Sequence, residues 1–330
     1  MQVLVIGGTQ FVGRHFVEAA LDRGHDVALL HRGRTGADLF PDAEHLLVDR
    51  DAELGVLAGR SWDATVDVCG YVPRQVDHLA TALNGNGGHH LFVSSVSAYQ
   101  EPSVPGATEE TVLLAELDDP DVEEVTAETY GGLKVACERA AAAAYGERLT
   151  IVRPTYVVGP WDHTGRFTWW VDRLARGGEV LAPGPRESPM QVIDGRDMAT
   201  WMVELIENQR GGSFHAVSPE PPYGMGELLE QSAAAAAPEG TVLTWADADW
   251  LTEHGQDGQS LPLWTEGTPE WSMALDPAAA YGTGLRPRPI GDTVRDTLAW
   301  LTDHGDALRE EWGIAPEREA ELLAQWHSSS

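Results

Sequence analysis

The feature that most constrains this chain is a glycine turn set directly behind its opening apolar run. Val3-Leu4-Val5-Ile6 leads into Gly7-Gly8-Thr9-Gln10-Phe11-Val12-Gly13-Arg14, and an amphipathic stretch follows. A strand, a tight turn and a helix make the first half of a βαβ unit, which commits the chain to a layered sheet with helices on its faces. Glycines at such a turn let backbone N–H groups and the helix N-terminus face an anion, and the pyrophosphate of a dinucleotide is the expected one. The spacing Gly7-x-x-Gln10-x-x-Gly13 carries glutamine at the middle place.

The pattern continues as the turn predicts. Strands are expected at 3–6, 27–30, 45–48, 65–68, 90–94 and 150–152, with helices at 13–23, 74–83 and 129–145 between them. Several of these strands are almost wholly apolar, as in a parallel sheet covered on both faces. The fold class expected is α/β, a doubly wound parallel Rossmann sheet with a second, smaller substrate lobe. Residues 1–155 would form the dinucleotide-binding domain, to which 190–218 returns. Residues 156–189 and 219–286 would form the substrate lobe, and 287–330 a C-terminal helical region. In the second half, helices are expected at 167–176, 196–207 and 227–237, and strands at 190–193, 213–217 and 241–245.

Composition narrows the function classes. The formal net charge is -30, with 52 acidic against 22 basic side chains, which opposes broad contact with nucleic-acid phosphates. No apolar run is long enough to span a bilayer, and the first residues lack the basic start of a signal peptide, so a cytoplasmic protein is expected. Two cysteines, Cys69 and Cys137, make neither a disulfide framework nor a four-ligand metal site. No metal is expected.

The chain holds a single lysine, Lys134, four residues after Tyr130. Both would lie on one face of a helix. An ammonium beside a phenol stabilises the phenolate and brings its pKa toward neutrality, as a general acid/base requires. Upstream, Leu91-Phe92-Val93 delivers Ser94-Ser95-Val96-Ser97 to the C-terminal edge of the sheet, where open α/β folds bind ligands. A serine there can donate to a substrate carbonyl oxygen. After the second strand stand His31-Arg32-Gly33-Arg34, with no acid to bind a ribose 2′-hydroxyl until Asp38. Cations at that place suit the 2′-phosphate of NADP.

Taken together, Val5-Ile6-Gly7-Gly8-Thr9-x-Phe11-x-Gly13, Ser94-Ser95-x-x-x-Tyr99, Tyr130-x-x-x-Lys134 and Arg153-Pro154-Thr155 resemble the extended short-chain dehydrogenases/reductases. This is the NAD-dependent epimerase/dehydratase family; Val192 to Ala199 resembles a later family segment. The Gln10 variant points to an atypical subgroup with a GGTxFxG turn, which includes chloroplast stem-loop-binding proteins. The resemblance implies that Tyr130 is the proton donor/acceptor, that Lys134 holds the nicotinamide ribose, and that Ser95 polarises the reacting carbonyl. It implies a cofactor set of Gly7, Thr9, Gln10, Phe11, Val12, Gly13, His31, Arg32, Arg34, Asp49, Cys69, Gly70, Ser94, Tyr130, Lys134, Pro154 and Val157. Asp49 would contact adenine, and Cys69-Gly70 would pass beside the cofactor. Sugar dehydratases of the family carry an acidic pair after the catalytic threonine; Val96 and Ser97 stand there here, which disfavours elimination of water.

The expected substrate wall includes Tyr71, Val96, Ser97, Trp161, His163 and Arg166, with Trp169 and Trp170 open to a pocket or a core role. The function expected is an NAD(P)-dependent oxidoreductase acting on a carbonyl or secondary alcohol of a small molecule, with NADP preferred and NAD the alternative. A nucleotide-sugar epimerase with retained NAD is one rival. A non-catalytic dinucleotide-sensing or RNA-binding relative is another. No nucleic-acid or membrane partner is expected, and the resemblance implies a homodimer.

Overall fold

The computed structural model describes residues 1–100, 104–111, 114–266, 273–304 and 312–329. Residues 267–272 of the expected substrate lobe, and 305–311 and 330 of the expected C-terminal region, lie outside them. In chain order the first elements are β1 (Gln2–Ile6), α1 (Phe11–Asp22), β2 (Asp26–His31), β3 (Glu44–Leu47), β4 (Ala64–Asp67), α2 (Pro73–Leu83), β5 (His89–Val93), α3 (Tyr130–Tyr145) and β6 (Leu149–Pro154). There follow β7 (Tyr156–Val158), α4 (Arg166–Arg176), β8 (Glu179–Pro183), β9 (Pro189–Met190), β10 (Val192–Asp194), α5 (Gly195–Glu207) and β11 (Gly212–Ala216). The last are β12 (Tyr223–Gly224), α6 (Met225–Ala236), β13 (Val242–Ala246), α7 (Ala248–Glu253), α8 (Ala278–Gly282), α9 (Ile290–Asp303) and α10 (Pro316–Ser329).

Two compact units emerge. The first comprises Met1–Tyr156, Gly195–Val217 and Leu275–Arg286. Its core is a seven-stranded sheet in the order β11-β6-β5-β4-β1-β2-β3. Every pairing in it is parallel. The order reverses between β1 and β4, and the C-terminal ends of those strands open the crevice in which doubly wound sheets bind ligands. Period-2 alternation sorts the strand residues to the two faces. Leu4, Ile6, Ala28, Leu30 and Leu46 pack with Leu79 and Leu83 of α2. On the other face Val5 and Leu29 meet Val17 of α1 around Gly8.

The second unit comprises Val157–Asp194, Ser218–Ala274 and Pro287–Ser330. There β8 pairs with β13 in parallel, while α4, α6 and α9 pack on one another. A buried ion pair between Arg173 and Glu319 ties α10 to α4, and Glu319 also accepts from the Leu181 N–H of β8. The single strand expected over 190–193 is two short pieces. β9 pairs with β12 and β10 with β7, so neither joins the central sheet. Gln191, fully buried between them, donates its amide to the Pro219 carbonyl and breaks the run. Residues 212–216 do return to the sheet, as its edge strand beside β6.

One buried side chain sets an acid limit on stability. His90 of β5 is inaccessible, stacks on Tyr145 of α3 with centroids 3.9 Å apart, and has no hydrogen-bond partner for either ring nitrogen among the described residues. Burial drags its imidazole down to about 4. The unfolded chain therefore takes up this proton first as pH falls, and stability is lost between about 6.5 and 4. By pH 5 the loss from His90 alone should be about 2 kcal/mol. His90→Phe keeps the stacked ring and should remove that part of the fall in urea titrations at pH 7.5 and 5. An unchanged pH slope would refute the assignment.

Candidate active site at the C-terminal edge of the sheet

The glycine turn is built by close approach. A Cβ on Gly13 would lie 2.7 Å from the Gly8 nitrogen, so only glycine lets α1 start so near the turn. Gln10 precedes the helix without capping it through its side chain, and the first turn of α1 carries no acid. The helix dipole favours an anion at such an N-terminus. Thr9, Phe11 and Gly13 are buried, Val12 is half-buried and Gln10 is exposed. On the far side of the turn, Gly7 packs against Val68 and Cys69.

The loop after β2 folds back on this turn. The hydroxyls of Thr35 and Thr9 stand 3.5 Å apart. Arg32 and Arg34 are exposed on that loop, whereas the His31 side chain is buried and turned to His45, 2.8 Å away. The inward turn follows from β2 being covered on both faces. Asp49, after β3, accepts from the Asp51 N–H. Its neighbour Arg50 runs inward and makes two 2.8 Å hydrogen bonds to Asp67 at the end of β4. Arg50 also donates to the Cys69 sulfur and the Gln75 carbonyl. Burial alone would raise the Asp67 carboxyl, but the Arg50 charge and hydrogen bonds hold it below the ordinary range. Burial likewise pushes the Cys69 thiol up, which suits packing and not nucleophilic attack.

Lys134 is buried in a socket. Its ammonium donates to the carbonyls of Gly70 and Val93, each at 2.9 Å, which uses two of its three protons. It lies 4.9 Å from the Phe92 ring centre, 5.2 Å from that of Tyr71 and 5.9 Å from that of Tyr130. Burial lowers its pKa, while the Cys137 thiol and the carboxylates of Asp67 and Glu138 pull the other way. Tyr71 is partly exposed, and burial of its phenol raises that group to about 12.

The helix carrying Tyr130 starts on the serine turn. A Cβ on Gly131 would fall 2.1 Å from the Ser97 carbonyl oxygen, so the first turn of α3 can rest there only with glycine. The Ser95 hydroxyl accepts from the Ser97 N–H and donates to the Ser97 hydroxyl, each at 3.1 Å. Val96 is buried and Ser97 exposed. Ser94 Oγ is buried without a hydrogen-bond partner among the described residues, at the strand end whose Val93 carbonyl holds Lys134. An orphaned hydroxyl beside that socket, and a glycine turn leading into a helix start with no Gln10 side-chain cap and no acid, fit a dinucleotide. Among the described residues no group of three His, Cys, Asp or Glu is placed to hold a metal ion, and no helix is long and apolar enough to cross a membrane.

Four sequence candidates fall in or beside the second unit. Val157 lies in β7, directly after buried Pro154 and Thr155 end the sheet strand. The Trp161 ring packs on His304 and Trp300, with centroids 4.7 and 5.6 Å away. His163 is half-buried, and the Arg166 guanidinium lies 5.9 Å from the Trp312 ring centre. The Asp162 carboxylate is held by Thr164 and Thr168, and burial raises its pKa. Trp169 and Trp170 are both buried in α4 and belong to the core of this unit.

Residues 3–217 match the profile of the family described as NAD dependent epimerase/dehydratase. The chain belongs to that family. Among curated proteins it resembles the chloroplast stem-loop binding protein of 41 kDa b from Arabidopsis thaliana, at 23% identity over 225 residues. That match covers 63% of this chain and 56% of the plant protein, so the chain spans about half the length of this relative. Among solved structures it is similar to the Bordetella bronchiseptica enzyme WbmH in complex with NAD+, with a TM-score of 0.69 and 17% identity over 92% of this chain and 99% of that one. It is also similar to UDP-glucuronic acid 4-epimerase from Bacillus cereus in complex with NAD, with a TM-score of 0.67 and 14% identity over 93% and 98%. At these identities the likeness is one of fold.

Within this family framework, two polar assemblies have no counterpart in the sequence reading. One is the Arg50–Asp67 pair. The other is also buried: Arg153 makes two hydrogen bonds to Glu138 and donates to the Tyr99 hydroxyl. That hydroxyl donates in turn to His215 Nε2, whose Nδ1 faces the Asp276 carbonyl at 2.9 Å. Because the carbonyl can only accept, Nδ1 carries a proton; burial lowers the ring's pKa against the pull of the Glu109 carboxylate, 3.7 Å from Nδ1. Glu138 sits one helical turn beyond Lys134, so this network fixes the inner face of the helix bearing both candidate catalytic residues.

Proposed function

We propose that the chain is a nicotinamide-dinucleotide-dependent oxidoreductase that interconverts a carbonyl and a secondary alcohol on a small molecule, with Tyr130 as general acid/base. The observation that carries this reading is the socket of Lys134: the only lysine of the chain, buried at the ends of β4 and β5 and facing the Tyr130 ring. When bound, the dinucleotide supplies the hydride acceptor or donor. The residues do the rest. Lys134 stabilises the Tyr130 phenolate and keeps one proton for a ribose hydroxyl. Tyr130 delivers or removes the substrate proton, and Ser95 donates to the reacting oxygen. The glycine turn with Gly7, Thr9, Gly13 and the start of α1 would hold the pyrophosphate; Asp49, Cys69, Gly70 and Ser94 would lie along the cofactor. Val96 and Ser97 supply no acid for elimination of water.

A second reading keeps the same residues but retains the cofactor through oxidation and re-reduction, as in a nucleotide-sugar epimerase. The solved UDP-glucuronic acid 4-epimerase to which the chain is similar, itself bound to NAD, favours it. Release of nucleotide from the purified, denatured protein would support the epimerase; an empty preparation that binds added cofactor would support the oxidoreductase. The stem-loop binding in the Arabidopsis relative's name is opposed here, for any nucleic acid, by the charge of -30.

Cofactor choice is the finer part of the proposal. No acid follows β2 until Asp38, and Arg32 and Arg34 are exposed on the loop that folds back to Thr9. A guanidinium there can pair with a 2′-phosphate through charge-assisted bonds worth about a 10- to 150-fold preference. We therefore expect NADPH to bind more tightly than NADH, although the solved neighbours hold NAD. Arg32→Asp should remove most of that difference in titration calorimetry. Equal dissociation constants for the two reduced cofactors in the unmodified protein would end the NADP preference and leave the oxidoreductase reading with NAD.

A further inference from the structure

We propose that His31 and His45 form a neutral two-imidazole strut that shapes the loop after β2 for the adenosine end of the dinucleotide. Protonation of the strut would release the loop, so that cofactor binding weakens in mild acid. The inference rests on the dinucleotide reading above.

The hydrogen bonds fix every ring nitrogen. The Phe40 carbonyl, 3.2 Å from His45 Nε2, can only accept, so that nitrogen carries a proton. In the neutral ring His45 Nδ1 is then a bare acceptor. His31 Nε2, 2.8 Å away, must donate to it. His31 Nδ1 is left bare and accepts from the Gly33 N–H at 3.2 Å. One directional chain thus runs from the loop backbone at Gly33, through both rings, to the loop backbone at Phe40. The His31 carbonyl adds a bond from the Val48 N–H, anchoring the strut where β2 and β3 end.

An added proton has no place in this chain. On His45 Nδ1 it would set N–H against N–H across 2.8 Å; on His31 Nδ1 it would face the Gly33 N–H. Each protonated state breaks one bond of the strut. The surroundings offer no relief. Arg32 and Arg34 on the loop are cations, Glu44 on β3 pairs with Arg60, and Arg50 is taken by Asp67. Asp49 binds the Asp51 backbone, and Asp38 and Asp42 make no ion pair with either ring among the described residues. Burial and the neighbouring His45 both lower the His31 pKa. The loop held in this way is the one that carries Arg32 and Arg34 and touches Thr9 of the glycine turn. His31 and His45 are therefore positioning residues: they shape the site without contacting the reacting atoms.

The test uses NADH, which lacks a titrating 2′-phosphate, in calorimetric titrations from pH 8 to 5.5. The dissociation constant should rise about fivefold or more toward pH 5.5 as one hydrogen bond is lost. His45→Gln keeps an acceptor for His31 and a donor for Phe40 but removes one of the two rings that a proton can enter, so it should make the profile shallower. Imidazole ¹⁵N spectra of the unmodified protein at pH 8 should show Nε2 protonated and Nδ1 bare in both rings, a readout independent of any variant's folding. A flat profile in the unmodified protein, an unchanged slope in His45→Gln, or other tautomers would overturn the strut while leaving the dinucleotide reading intact. Failure to bind NADH and NADPH at pH 8 would overturn both.

Discussion

Tyr130→Phe should lower turnover of any carbonyl substrate by about 10²- to 10⁴-fold, the usual worth of a positioned general acid/base. The ring stays, so the packing of α3 on the serine turn and its approach to Lys134 should survive. Only the proton-bearing oxygen is removed. Cofactor affinity and melting temperature are therefore expected to hold, and the loss should fall on kcat more than on KM. Lys134→Arg makes a companion test. Two carbonyls converge on a compact ammonium among three aromatic rings, and a planar guanidinium cannot match that socket. A Tyr130→Phe protein that kept near-normal kcat would move the acid/base to another group, and Tyr71, the other phenol facing Lys134, would be the first to examine.

Much of this site could be read from the chain because its parts are local. The glycine turn needs residues within seven positions of one another, and Tyr130 and Lys134 need one helical turn. The serines need only the end of an apolar strand. Each is fixed by backbone geometry and period. The Arg50–Asp67 pair is different in kind. Its partners stand 17 residues apart, and β4 lies beyond β1 and β2 from β3 in the sheet, so their meeting depends on strand order. The Tyr99–His215 bond spans 116 residues and depends on β11 joining β6 at the edge. A warning was nonetheless present: Asp67 ends an apolar run in a parallel sheet, where an acid must find a cation. His31 shows the opposite limit. Its place after the second strand marked it for the cofactor, yet the burial of β2 turned the ring inward. The apolar run at 190–193 misled because a short run cannot say which sheet it joins.

Arg50→Met should cost about 3–5 kcal/mol of stability at neutral pH, because it strands a fully buried carboxylate. The sign of the pH dependence follows from Asp67. In the unmodified protein Arg50 holds its pKa below the unfolded value, so the pair stabilises the fold above that value and loses its effect as pH falls through the folded one. Without the guanidinium, burial raises the same carboxyl, and the folded state takes up a proton before the unfolded chain does. The gap between variant and unmodified protein should therefore be widest near pH 7 and narrow toward pH 4.5 in urea titrations. Arg50→Met combined with Asp67→Asn should recover part of the loss, since no charge is left stranded. The damage should also reach the site: Asp67 accepts from the Cys69 N–H, and the next residue, Gly70, supplies one of the two carbonyls that hold Lys134. A cost below about 1 kcal/mol would place the pair with exposed ion pairs. A double variant no better than the single one would shift the cause from the stranded charge to the lost packing of the arginine itself.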